Sequence, residues 1–384
     1  MQDFFEFSLG ARVLYQMGLA GELGQVISNA LPQRRAFIVA DKGVIQAGLL
    51  EPIRAGLAPV ELVGIFDDVP ANSSVAKVAE GAELARAAGA DLLIAVGGGS
   101  PIDTAKGIRI VLTLGGSIPD YEGYNVIETP LTPLIAIPTT AGTGSEVTPI
   151  AVILDEEGQR KISIVSRYVT PTLAILDPLM TRTLPPRLTA ATGMDALSHA
   201  IETYVSTENN PLSDSLALAA IDMIATYLRD AVHDGENMEA RSQLLIAATM
   251  AGIACGNSLF GVVHALSHAL GGKFPVHHGT ANAIFLPPGM RFNSEVVPER
   301  YVRIARAMGV NVGGRSNAEV IADGIAAVRT LTADCGLPTT LREVGVPREA
   351  LPELAELAAV EPAIFNNPRP ATPEELLAML EEVW

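Results

Sequence analysis

What most constrains this chain is an alternation that stops. Through residue 178, short β-branched or leucine-rich runs close on Gly, Asp, Thr or Pro: RRAFIVAD (34–41), VELVGIFDDV (60–69), DLLIAVGGG (91–99), PLIAIPTT (133–140), AVILD (151–155) and LAILDP (173–178). Helix-like segments lie between several of them, among them SVAKVAEGAELARAAGA (74–90) and SPIDTAKGIRIVLTLG (100–115). Apolar runs of strand length separated by helical text predict a parallel sheet covered by helices on both faces. After TRTLPPRLT (181–189) the alternation ends. Segments such as DSLALAAIDMIATYLRDAV (214–232) and NAEVIADGIAAVRTLTADCG (317–336) carry helical periodicity with almost no strand-like pattern. The double proline at 185–186 marks the expected boundary between an α/β domain over 1–184 and an all-helical domain over 185–384.

Charge narrows the partners. With 26 Lys+Arg against 43 Asp+Glu the net charge is −17, a surface that repels phosphate backbones and anionic lipid, so neither nucleic acid nor a membrane surface is expected as a partner. Two cysteines, Cys255 and Cys335, do not make a disulfide framework and fit a reduced, cytoplasmic compartment. The N-terminal MQDFFEFSLGARVLYQ lacks a basic start followed by an apolar run, so no secretory signal is read there. From Leu244 to Gly272 no formally charged residue occurs, which is long enough for a membrane span. Asn257, His264, His268 and the glycines inside that stretch, and the missing aromatic and basic anchors at its ends, favour a buried helix or helix pair instead.

Two glycine loops suggest a phosphate cradle. DLLIAVGGGSPIDTAKG sets Gly97, Gly98 and Gly99 directly after an apolar strand and before a helix. Ser100 is the expected N-cap, with Pro101 in the first helical position and Asp103 completing a capping box. Such a helix start offers free N–H groups and the positive end of the dipole to a pyrophosphate. It is not the G-x-G-x-x-G fingerprint. The second loop, PTTAGTGSEVT (138–148), offers Thr139, Thr140, Thr143 and Ser145 after another apolar run, and Asp41 closes FIVAD, where a carboxylate can bond a ribose diol and repel a 2′-phosphate.

Histidine is rationed: six in the chain, four of them in GVVHALSHALGGKFPVHHG (261–279). His264 and His268 stand four apart on one helical face, as do Asp195 and His199 in GMDALSHAIE. A carboxylate and imidazoles converging from two helices suit a divalent first-row metal such as iron(II), zinc, nickel or manganese. Spacing leaves the ligand set open: Asp195, His199, His264 and His268 make one tetrad, and His277 or His278 in place of His268 makes another.

The runs GGGSPIDTAK, IPTTAGTGSEVT, GMDALSHAIE, GVVHALSHALGG and HHGTANAIFLPP, in that order, with FNNPRPAT (365–372) near the end, resemble the iron-containing (group III) alcohol dehydrogenase family over nearly the whole chain. The resemblance implies a Rossmann-like nucleotide domain followed by an all-helical metal-binding domain, the dehydroquinate synthase-like architecture, with the active site between them. It implies metal ligands at Asp195, His199, His264 and His278, with Fe(II) as the metal and Zn or Ni as alternatives, and leaves His268 as a catalytic proton relay. It implies NAD as cofactor, with Asp41 on the adenosine ribose, Gly98, Gly99 and Ser100 on the pyrophosphate, Thr139, Thr140 and Ser145 on the nicotinamide side, and Lys161 reaching the ribose; Asp103 joins this cofactor-binding group. His277 has no role to inherit. The implied reaction is reversible hydride transfer between a primary or secondary alcohol and NAD, in a homodimer or larger homo-oligomer acting on small alcohols and aldehydes.

One departure bears on the substrate. Where the family often has A-F-N-N, this chain reads ACGN (254–257), so Cys255 stands in place of a bulky aromatic and a roomier pocket is expected. A glycerol dehydrogenase-like polyol or hydroxy-acid oxidoreductase is the nearest alternative. A dehydroquinate synthase-like lyase would need basic groups for an anionic substrate, and only Lys273 lies close to the motifs. A sensor that binds nucleotide and metal without turnover is the non-enzyme alternative.

Overall fold

The computed structural model describes residues 4–158 and 160–384. They form two compact units, Ser8–Leu184 and Pro185–Trp384, with residues 4–7 clustering with the second. In chain order the strands are β1 (Arg12–Tyr15), β2 (Arg35–Ala40), β3 (Glu61–Phe66), β4 (Leu92–Gly97), β5 (Gly123–Tyr124), β6 (Leu134–Pro138), β7 (Ile150–Asp155), β8 (Arg160–Val165) and β9 (Leu173–Leu176).

The main sheet of the first unit has the order β1-β9-β6-β4-β2-β3, and every neighbouring pair is parallel. Because side chains alternate across a strand, the apolar runs feed two cores at once. Phe37, Val39, Leu93, Ala95, Leu134 and Ala136 pack on one face; Ala36, Ile38, Leu92, Ile94, Ile135 and Ile137 pack on the other. From β2 the chain moves out to β3 and then returns to β4 on the opposite side of β2. The carboxyl ends of β2, β4 and β6 therefore stand side by side, which is where open α/β sheets bind ligands.

AVILD does not belong to this sheet. It forms β7, antiparallel to β8, in a separate three-stranded sheet of order β5-β8-β7. The correction has a simple cause: β7 buries alternate residues, Ala151 and Ile153, while its other positions stay partly exposed, the mark of a strand covered on one face.

Among the described residues, every regular element of the second unit is a helix. Several of its helix starts carry side-chain caps: Asn210 accepts from the N–H groups of Leu212 and Ser213 ahead of helix Pro211–His233, and capping boxes Ser316/Glu319 and Thr372/Glu375 open helices Asn317–Asp334 and Pro373–Glu382. The uncharged stretch divides into helices Met238–Ser258 and Val262–Lys273, bent by 99° at a short break; among the described residues no single helix is long and apolar enough to cross a membrane. The break falls at Leu259, whose φ of 60° is costly for a branched side chain.

Candidate functional site

In the first unit the two glycine loops touch. A Cβ on Gly98 would lie 3.2 Å from the Thr140 side chain, and one on Gly99 would lie 3.0 Å from Thr143 Cγ2, so small residues let the loops close on each other. The Thr139 N–H also donates to the Gly97 carbonyl at 3.0 Å. Helix Gly99–Leu114 follows directly, and its cap is Gly98 rather than Ser100. The expected capping box is therefore absent. Ser100 Oγ donates to the Ala71 carbonyl, and Asp103 accepts from Ser145 Oγ at 2.5 Å and from the Val152 N–H at 3.0 Å. Asp41 caps the short helix after β2, with Oδ1 accepting from the Val44 N–H at 2.8 Å. Lys161 sits on β8, opposite Leu154 in the register.

Sequence reasoning passed over Lys106, the next residue but two after Asp103. Its side chain is wholly buried and Nζ donates to Ser145 Oγ at 2.9 Å, Thr148 Oγ1 at 3.2 Å and the Ile150 carbonyl at 2.6 Å. This ammonium pins the second glycine loop to the helix that starts at the first. Desolvation pushes Lys106 down to about 8, against the pull of Asp103 and Glu146. In the unfolded chain its amine is expected near the ordinary 10.5, so between pH 8 and 10.5 the unfolded state holds a proton that the folded state has released. Stability therefore gains from this group as pH rises through that window, by at most about 1.4 kcal/mol per pH unit. Denaturant titrations of wild type and Lys106→Met at pH 8 and pH 10 are expected to show that gain only in the wild type; an equal pH response in both overturns it.

In the second unit, helix Pro186–Val205 carries Asp195, His199 and Glu202 at i, i+4 and i+7, one face of the helix. Helix Val262–Lys273 carries His264 and His268, and helix His278–Ser294 starts on His278, with His277 as its cap residue. Single ligand atoms of Asp195, His199 and His264 all lie within 4.8 Å of one another, and all three residues are buried. His199 Nε2 and His278 Nε2 stand 3.9 and 3.7 Å from Asp195 Oδ1. His277 is exposed.

The close approach depends on glycine. A Cβ on Gly279 would fall 2.0 Å from the Ala191 carbonyl oxygen and 3.1 Å from Asp195 Cβ, so only glycine lets the helix that begins with His278 reach the one bearing Asp195.

His264 is held from behind. Its Nδ1 lies 2.5 Å from Glu202 Oε2, and the same carboxylate accepts from the N–H groups of Val263 at 2.6 Å and His264 at 3.2 Å. Burial pushes the Glu202 carboxyl up to about 7 against the pull of those donors. Burial also pushes the His264 imidazole well down, which favours its neutral form. Phe260 stacks on the His264 ring at 4.2 Å between centroids. Asn282, wholly buried, turns Nδ2 to Asp195 Oδ1 at 2.7 Å and lies within 3.3 Å of His264 Nε2 and 3.2 Å of His278 Nε2.

His268 stands at the edge of this cluster. Its ring stacks on His278 at 5.3 Å, its Nδ1 lies 2.7 Å from Glu361 Oε1, and its side chain is 20% exposed.

A buried carboxylate facing several imidazoles is a poor use of an apolar core unless a cation joins it. His199 Nδ1, also buried, has no hydrogen-bond partner. One oxygen and several nitrogen donors match a divalent first-row metal, so these residues fit such a cation. The glycine-closed helix start fits a pyrophosphate.

Comparison with known proteins points the same way. A family model described as iron-containing alcohol dehydrogenase matches residues 10–178, and one described as the C-terminal part of the Fe-containing alcohol dehydrogenase family matches residues 189–384. A 1,3-propanediol dehydrogenase from Klebsiella pneumoniae is 39% identical over 371 residues, 96% of this chain and 95% of its own length. An NAD-dependent methanol dehydrogenase from Bacillus methanolicus is 39% identical over 365 residues, 95% of this chain and 96% of its own. The solved structure of a 1,3-propanediol oxidoreductase superposes with a TM-score of 0.96 at 37% identity, covering 99% of this chain and 100% of that one.

Proposed function

This chain belongs to the iron-containing alcohol dehydrogenase family, and from that premise we propose how its residues divide the work of an NAD-linked alcohol oxidoreductase that uses a divalent metal. Asp195, His199, His264 and His278 hold the cation, Fe(II) ahead of Zn or Ni. The observation that carries this assignment is the burial of Asp195, His199 and His264 around one point, with His278 Nε2 a further 3.7 Å from Asp195 Oδ1.

When bound, the cation supplies Lewis acidity toward the alcohol oxygen and NAD supplies the hydride acceptor. The chain does the rest. Phe260 and the apolar helix faces keep water from the histidines. His268, steadied by Glu361, takes the alcohol proton and passes it outward from its part-exposed ring.

In the α/β domain, Gly98, Gly99 and Ser100 bind the pyrophosphate through the helix start, Asp41 selects NAD over NADP at the ribose, and Lys161 reaches the second ribose. Thr139 and Thr140 line the nicotinamide side. Asp103 and Ser145 act from behind, since both belong to the Lys106 network. Two buried cysteines outside any disulfide accord with a cytoplasmic enzyme, and we place it there as a homo-oligomer.

The test is a panel of primary alcohols of rising chain length, assayed with NAD and with NADP on protein depleted of metal and reloaded anaerobically with Fe(II). Steady turnover that returns with Fe(II), prefers NAD and extends to longer or branched alcohols is expected. Activity confined to two- and three-carbon alcohols would refute the roomier pocket assigned to Cys255, and nucleotide binding without turnover would refute the enzyme.

A further inference from the structure

Helix Val262–Lys273 starts behind Gly261, which has no side chain to satisfy the first N–H groups. Those N–H groups turn to a residue far away in sequence. Glu202, 2% exposed, accepts from the Val263 N–H through Oε1 and from the His264 N–H through Oε2, and Oε2 also meets His264 Nδ1. Each Glu202 oxygen already accepts from a backbone N–H, and a hydrogen on His264 Nδ1 gives the ring contact the same sense as the other two. A neutral imidazole has one such hydrogen. Its Nε2 is then a bare lone pair, and Nε2 is the atom turned to the Asp195 side, 3.3 Å from the Asn282 amide that also holds Asp195 Oδ1.

We propose that Glu202 is a positioning residue for the cation site: it selects the His264 tautomer that can ligate and clamps the start of the His264 helix to the helix bearing Asp195 and His199. A cap role alone would be met by the two backbone donors. The third contact, to the ring, is what a cap does not need and a ligand does. The inference rests on the metal assignment above.

Glu202→Gln separates the two. Glutamine keeps the shape but has a single acceptor oxygen for three donors, and its NH₂ group, where it faces His264, requires a lone pair on Nδ1 and so moves the ring hydrogen to Nε2. The expected result is a protein that still unfolds cooperatively but binds Co(II) or Zn(II) 10- to 100-fold more weakly by chelator competition. Ser316→Ala, which removes the side-chain cap of helix Asn317–Asp334, a helix that carries none of the histidines, is expected to lower the melting temperature and leave metal affinity unchanged. A Glu202→Gln protein with wild-type metal affinity overturns the proposal.

His264→Ala and Asp195→Ala are measured alongside. If they keep wild-type affinity, the metal assignment fails and this inference with it; if they lose the cation while Glu202→Gln keeps it, only the Glu202 inference fails. Should Glu202→Gln not fold, ring ¹⁵N spectra of histidine-labelled wild type carry the test. A buried, slowly exchanging Nδ1–H imidazole that keeps this form with Zn(II) bound supports the clamp, and a spectrum in which every metal-sensitive ring has its hydrogen on Nε2 overturns it.

Discussion

His264→Ala is expected to strip the protein of its metal and lower turnover by about 10³-fold or more, while His268→Ala keeps the metal and loses about 10²-fold in rate. The contrast follows from where the two rings sit. His264 is 1% exposed, backed by Glu202 and stacked on Phe260, with Nε2 on the Asp195 side. His268 sits one helical turn later, its Nδ1 tied to Glu361 at the margin of the cluster. Metal content by elemental analysis and kcat on the same preparations decide the matter. Equal metal loss in both variants would instead favour the tetrad in which His268 replaces His278.

Gly279→Ala is expected to be the most damaging single methyl in the helical unit. The added Cβ would meet the Ala191 carbonyl oxygen at 2.0 Å, and backbone cannot swing aside as a flexible side chain does. The helices must separate, at a cost of about 3 kcal/mol or more. His278 precedes this glycine and Asp195 lies one turn beyond Ala191 on the facing helix, so separation also pulls two of the four proposed ligands apart. Chemical denaturation and metal titration should both report the loss. A variant with near wild-type stability would show that the two helices can part at little cost. Gly271 and Gly272 have open space around them, and alanine there serves as the neutral comparison.

Much of this is legible in the sequence itself. The strands of the main sheet announce themselves because both faces are buried, so RRAFIVAD and DLLIAVGGG read as unbroken apolar text. The smaller sheet hid for the opposite reason. KISIV alternates, and AVILD, though apolar throughout, is covered on one face only and passes for another central strand. β1, whose four residues are all partly or fully exposed, offers only a three-residue apolar run, too short to stand out.

At the site, the i, i+4 spacing brought Asp195, His199 and His264 to notice, but the same rule extends further than it was taken. Glu202 is i+7 from Asp195 and Asn282 is i+4 from His278; both lie on the faces already marked, and neither was singled out because a search for ligands passes over the groups that hold ligands. Glu361 is a different case. It meets His268 across 93 residues of chain, and no local pattern reveals such a pairing. Ser100 and Asp103 have residue types suited to a capping box but serve other partners, Ala71 for the serine and the second glycine loop and β7 for the aspartate.

The four proposed ligands come from three helices, the first of which ends at Val205 while the other two start only at Val262 and His278. A protein synthesised only through the first of them offers a cation Asp195 and His199 alone, and full metallation has to wait until the later two helices have packed against it. Which ion is captured then depends on what the surroundings supply at that late moment, and once captured it makes unfolding harder in proportion to the logarithm of its concentration.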